Sequence, residues 1–140
     1  MRILVPIAGS SPGDDALDYA LEQFTDAEII ALYVMDPVDG ATAWGPGSAD
    51  DWLSTAEKRS ERVLESATEL AADAGREITT DSDAGRPAKT IVEYVEENDL
   101  DQVVIGSHGR DGLARVLLGS VAETVVRRAP VPVTVVRSSE

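Results

Sequence analysis

The chain has 140 residues and no cysteine. It therefore carries no disulfide frame, thiol nucleophile or thiolate-held metal, which agrees with a reducing compartment. Histidine occurs once, at His108, so a histidine-rich metal cluster is excluded and no Ser-His-Asp order can be traced. Lysine is nearly missing: of 12 basic residues only Lys58 and Lys89 are lysines. Neither follows a GxxxxGK[ST] loop, which sets aside a phosphate-hydrolysing P-loop enzyme. After the first apolar run stands Gly9-Ser10-Ser11-Pro12-Gly13 rather than G-x-G-x-x-G, which sets aside a dinucleotide enzyme. Long apolar runs are lacking too. Ile29 to Met35 is too short to span a bilayer. Met1-Arg2 followed by Ile3 to Ala8 is too short a core for a signal peptide, and Asp14-Asp15 soon follow. A cytoplasmic protein without membrane attachment is expected, and strong enzymatic turnover is not.

What is present is an ordinary globular balance, 43% hydrophobic and 27% charged, sufficient for one domain over residues 1–140 with a sizeable core and no internal repeat. The charge is less ordinary. A formal net charge of -14 and an isoelectric point near 4.3 argue against a nucleic-acid partner, because phosphate backbones are held by basic surfaces. The acids are spread along the chain rather than gathered in a tail. Together with the scarcity of lysine, this reads as a surface adapted to concentrated salt and suggests a halophilic source.

Short Val/Ile-rich runs alternate with longer amphipathic stretches. Ile3 to Ile7, Ile29 to Met35, Val103 to Ile105 and Val131 to Val136 are almost continuously apolar, as strands buried on both faces are. A fifth strand, polar and weak, falls in Glu77 to Asp83 and suits a sheet edge. Four helices lie between. Pro12 to Asp15 opens one that carries Ala16, Leu17, Ala20, Leu21 and Phe24 on one side. The second begins near Asp50-Asp51, places Trp52, Leu53, Ala56, Val63, Leu64, Ala67, Leu70, Ala71 and Ala74 at helical spacing, and stops at Gly75. Pro87 suits the first turn of a third, with Ile91, Val92 and Val95 inward. The fourth runs from about Ser120 to Arg128, with Pro130 just beyond. Asp36 to Ala49 is a long Gly/Pro-rich connection.

A β-α-β-α-β-α-β-α-β order calls for one five-stranded parallel sheet with helices on both faces and right-handed crossovers. Such sheets bind ligands at the carboxyl ends of the strands, where the strand order reverses. The turns after the first and fourth strands both lie at that end. The second of these is Gly106-Ser107-His108-Gly109, nine residues, then Gly119-Ser120. Glycine lets backbone N–H groups approach a ligand and take positive φ, and a helix starting at Gly119-Ser120 aims unpaired N–H groups and its positive dipole end at an anion. Gly109, Gly119 and Ser120 are the donors this reading names. The plainer alternative is that the glycines turn the chain and Ser120 caps the helix.

With these residues in view, the chain resembles the universal stress proteins. Nucleotide-binding members of that family carry G-x2-G-x9-G-[S/T] after the fourth strand, matched here by Gly106, Gly109, Gly119 and Ser120. The resemblance runs from Ile3-Leu4-Val5-Pro6 through Gly9-Ser10, Ala31 to Val34, Gly85-Arg86-Pro87-Ala88 and Leu118 to Ala122 to Val131-Pro132-Val133. It implies a Rossmann-like, flavodoxin-like α/β fold and an ATP site, with ADP or AMP as other ligands and Mg²⁺ beside the phosphates. Pro6, Ile7, Ala8 and Val34 would line its nucleoside end. Ile105, Gly106, His108, Gly109, Gly119, Ser120, Val121 and Ala122 would wrap ribose and phosphates. Ala8 stands where nucleotide-binding members usually have an aspartate, so a charged acceptor is missing at the nucleoside end. The resemblance also implies a homodimer through antiparallel pairing of Val131 to Val136, and a cytoplasmic stress-response role with slow hydrolysis or none and an unidentified downstream partner. The alternative from the same family is a dimeric interaction module that takes no nucleotide.

The remaining candidates each read two ways. His108 either touches phosphate or carries a proton, or it packs. Arg110 and Arg115 either screen a triphosphate or pair with surface acids. Asp111 either shares a metal with phosphates or is a solvated loop acid. Trp44 either covers a ligand or folds back on the protein. Arg127-Arg128 complement the helix dipole, and Tyr19, Tyr33 and Tyr94 are packing residues.

Overall fold

The computed structural model describes residues 1–7, 11–36, 49–107 and 119–137, with the backbone alone for 11–14 and 49–52. Among them are five strands, β1 (Arg2–Ile7), β2 (Glu28–Met35), β3 (Thr79–Ala84), β4 (Gln102–Gly106) and β5 (Val133–Val136). Four helices connect them, α1 (Ser11–Gln23), α2 (Ala49–Asp73), α3 (Pro87–Glu97) and α4 (Ser120–Arg128). All neighbouring strands are parallel, in the order β3-β2-β1-β4-β5. The doubly wound α/β sheet expected from the alternation is present, with the polar strand at one edge and the last strand at the other.

The alternation of side chains along each strand builds two cores. Ile3, Val5 and Ile7 of β1, Ile29, Ala31 and Tyr33 of β2, and Val104 of β4 pack with Ala16, Leu17, Ala20 and Leu21 of α1 and Ala67 and Ala71 of α2. Leu4, Ile30, Leu32, Val103 and Ile105 face the other way, onto Ile91 and Val95 of α3 and Ala122 and Val125 of α4. Each large aliphatic side chain buried in this way contributes about 1.5–3 kcal/mol. The central strands are buried on both faces because helices cover both.

Helix ends hold the layers in place. Gly75 takes φ +75° just past α2, its N–H donating to the Ala72 carbonyl (2.9 Å) while that of Arg76 reaches Ala71 (2.8 Å). This paired closure of a helix end requires a left-handed residue, which glycine supplies without a Cβ clash. It aims the Arg76 guanidinium at the carbonyls of Leu21 (2.9 Å), Phe24 (3.2 Å) and Ala27 (3.0 Å). α1 has no basic residue in its last turn; Arg76 supplies that charge from across the layer. At the β3 edge the Tyr94 hydroxyl donates to Asp81 Oδ2 (2.9 Å). Burial, with that bond to Asp81 adding to it, pushes the Tyr94 phenol up to about 12.

Several expectations are corrected. The last strand is Val133–Val136 rather than Val131 to Val136, because Pro132 has no N–H to donate. Its carbonyl still accepts from Val103 N–H at 3.0 Å. The weak strand begins at Thr79, not Glu77. Leu53 is 44% exposed and Ala74 lies exposed beyond the end of α2, so the inward stripe of that helix is shorter than its spacing indicates. Tyr19 is more than a packing residue's share exposed, at 37%, and meets Phe24 edge to face, with ring centroids 6.4 Å apart.

Candidate functional site

The chain crosses from β1 through β2 to β3 on one side and continues through β4 to β5 on the other, so the order reverses between β1 and β4. A crevice outside the carboxyl ends of those two strands is where this class of sheet places ligands. The Leu4–Val103 register, carried forward, brings Ile7 level with Gly106. Gly106 is the last residue of β4 and pairs with Val136 of β5.

Ser107 ties the next elements together through its backbone. Its N–H donates to the Val136 carbonyl (2.9 Å), and its own carbonyl accepts from Gly119 N–H (2.6 Å). The residue is buried, 7% exposed. The start of α4 is thereby fixed beside the end of β4. Gly119 is the N-cap, with φ -66° and ψ 160° and no side-chain cap hydrogen bond, and its carbonyl accepts the first helical bond from Glu123 N–H (2.9 Å). The N–H groups of Ser120, Val121 and Ala122 have no acceptor one turn earlier in the helix. They point from the positive end of the helix dipole into the crevice side of the sheet, the arrangement that holds phosphate and carboxylate groups.

This geometry changes the donor set read from the sequence. Gly119 N–H is occupied by Ser107 and is not a donor to an anion. Ser120 is the first helical residue, not the cap. Neither Gly106 nor Gly119 has positive φ; among the described residues the glycines that do are Gly75 and Gly85. The glycine at 119 matters for its missing side chain, since Ser, Thr, Asp or Asn there would fold an oxygen back onto the open N–H groups.

The apolar candidates divide between the two faces. Val34, Val121, Ile105 and Ala122 share one core, and Pro6, half-buried, follows Leu4 onto that face by strand alternation. Ile7 turns its side chain into the opposite core with Ile3 and Val5, so only its backbone reaches the crevice. Ala8, His108 and Gly109 lie outside the described residues, as do Gly9, Ser10, Trp44, Arg110, Asp111 and Arg115. Arg127, expected to complement the dipole, also pairs with Glu123 at 3.1 Å, offsetting the one acid in the helix's first turn. Among the described residues no group of three or more His, Asp or Glu side chains could hold a metal ion, and no helix is long and apolar enough to cross a membrane. The role of Ser107 was invisible in the sequence, because it is carried by main-chain atoms that every residue has.

Fold and site together define a doubly wound α/β domain with an uncapped helix N-terminus at its switch point. The chain belongs to the universal stress protein family, whose family model matches residues 1–137. It is 36% identical over 141 residues to universal stress protein MJ0531 of Methanocaldococcus jannaschii, covering 97% of this chain and 81% of that protein. Among solved structures, UspA from Lactobacillus plantarum is similar at a TM-score of 0.81 and 26% identity, over 98% of this chain and 97% of that one. A universal stress protein in complex with cAMP is similar at 0.75 and 27%, over 99% and 98%.

The open N–H groups of α4 make a specific demand on Gly119. Gly119→Asp places a carboxylate where it caps α4 and fills the anion seat. Capping by Asp in place of Gly adds a few tenths of a kcal/mol, so the melting temperature rises by about 1 °C. Inorganic phosphate is expected to stabilise the wild type and to leave the variant unchanged. Thermal melts with and without phosphate check both signs.

Proposed function

We propose that the protein binds an adenine nucleotide, ATP foremost with ADP and AMP as smaller occupants of the same seat, and acts in the cytoplasm as a stress-response regulatory module. The observation that supports this reading is the row of N–H groups at Ser120, Val121 and Ala122, which have no acceptor among the described residues and sit beside Ser107 at the switch point. Backbone donors need no basic side chain, so a chain of net charge -14 can still hold phosphates. Val34, half-buried on the same face as α4, supplies apolar surface for the nucleoside, with Pro6 on that face too. The family and the cAMP complex of a 27% identical neighbour support an adenine ligand. Mg²⁺ in this reading sits beside the phosphates, as it does on a triphosphate in general. Slow hydrolysis or none belongs to the same reading.

The same reading includes a homodimer through the edge of residues 131–136. The two sheet edges differ in kind. β3 presents Asp81 and Asp83, exposed, the sort of charged edge that discourages pairing. β5 presents Val133, Thr134, Val135 and Val136, each half-buried, and carries no charge. That edge also favours the second reading, a dimeric interaction module that takes no nucleotide.

Isothermal calorimetry with ATP and Mg²⁺, ADP and AMP, run beside sedimentation in molar potassium chloride, separates the two. The nucleotide reading expects saturable heat with at least one of the three and a dimeric mass. Absence of heat with all three, with the mass still dimeric, leaves the interaction module; a monomeric mass contradicts the edge pairing. The acid-rich surface carries a further expectation, adaptation to concentrated salt. Screening of carboxylate repulsion then raises the melting temperature from dilute buffer to molar chloride, and a flat or falling curve contradicts it.

A further inference from the structure

β1 is paired with β2 along its whole length, through Pro6–Leu32 and Ile7–Tyr33. With β4 it pairs only at Ile3–Gln102 and Leu4–Val103, although both strands continue beyond that point. The cause is local. The Arg2 carbonyl faces β4, where it accepts from Asp101 N–H at 2.9 Å. Backbone groups two residues apart in a strand face the same neighbour, so Leu4 and Pro6 also face β4. Proline has no N–H, and the next bond of the ladder, from residue 6 to the Val104 carbonyl, cannot form. Prolines are otherwise confined to edges and bulges of sheets, and this one sits in the central strand, at the switch point.

We propose that Pro6 is a positioning residue: by withholding one N–H it leaves the carboxyl ends of β1 and β4 unlaced, so that a nucleotide can enter between them and reach the start of α4. This rests on the nucleotide reading and assigns Pro6 a role through its backbone, distinct from contact by its ring. Any other residue at this position laces the strands further toward the crevice, and a ligand then has to break that bond to enter. One amide hydrogen bond corresponds to a loss of about two- to tenfold in affinity.

The test uses the full chain and ATP as the probe. Pro6→Ala supplies the missing N–H. Its residue-6 amide is expected to exchange with solvent about a hundredfold or more slowly than a free peptide amide, and ATP affinity is expected to fall by about two- to tenfold. Lactic acid at position 6, with alanine's side chain and an ester oxygen in place of N–H, restores wild-type affinity. A structural role of the proline ring would not be rescued in this way. Unchanged affinity in Pro6→Ala with a protected amide overturns the proposal, as does a lactate variant that binds as weakly as the alanine one, or a residue-6 amide that exchanges freely. A wild-type protein that binds no nucleotide overturns the nucleotide reading and the positioning role together, while the amide of Pro6→Ala still reports separately whether Pro6 interrupts the ladder.

Discussion

Two main-chain hydrogen bonds at Ser107 hold the functional end of the molecule. One, from its N–H to Val136, joins the end of β4 to β5; the other, from Gly119 N–H to its carbonyl, brings the start of α4 back to the same place. Without them the helix has no fixed origin relative to the sheet, and its open N–H groups have no crevice to face. Ser107 is buried, in surroundings where a hydrogen bond resists exchange with water and an unpaired backbone group is costly. The packing of Ala122 and Val125 against Ile105 and Val103 then fixes the direction of α4 from the other end.

Charge bears on the fact that the described donors at the start of α4 are backbone groups. A surface dominated by carboxylates repels anions at long range, and basic side chains placed in the crevice would be drawn into pairs with neighbouring acids, as Arg127 is with Glu123. Peptide dipoles cannot be neutralised in that way. They are fixed by the helix, carry no counterion, and keep their strength where water is partly excluded. Glycine at the N-cap completes the arrangement by giving up the capping stability that Ser or Asp would bring. In the nucleotide reading, stability and binding are therefore opposed at this one position.

The alternation of strands and helices, and hence the sheet, was legible because Ile3 to Ile7 and Ile29 to Met35 are continuous apolar runs that only a doubly covered parallel strand needs. The polar Thr79–Ala84 strand was legible as an edge for the opposite reason. What escaped the sequence was of two kinds. Strand and helix limits depended on single backbone groups: Pro132 shortens β5 by its missing N–H, and Pro6 ends the β1–β4 ladder. The donor set depended on closure at a distance, since nothing local to Gly119 tells that Ser107 uses its N–H. The family resemblance puts Ile7 with Pro6 at the nucleoside end, whereas strand alternation sends its side chain to the far core. Side-chain pattern is written in the residue types; main-chain pairing across the sheet is written only in the fold.

The most direct test of the account is a nuclear magnetic resonance titration of the backbone amides with ATP. The account predicts that the amide signals of Ser120, Val121 and Ala122 move most and together. ATP binding that leaves these three amides unmoved would contradict it, whatever the affinity.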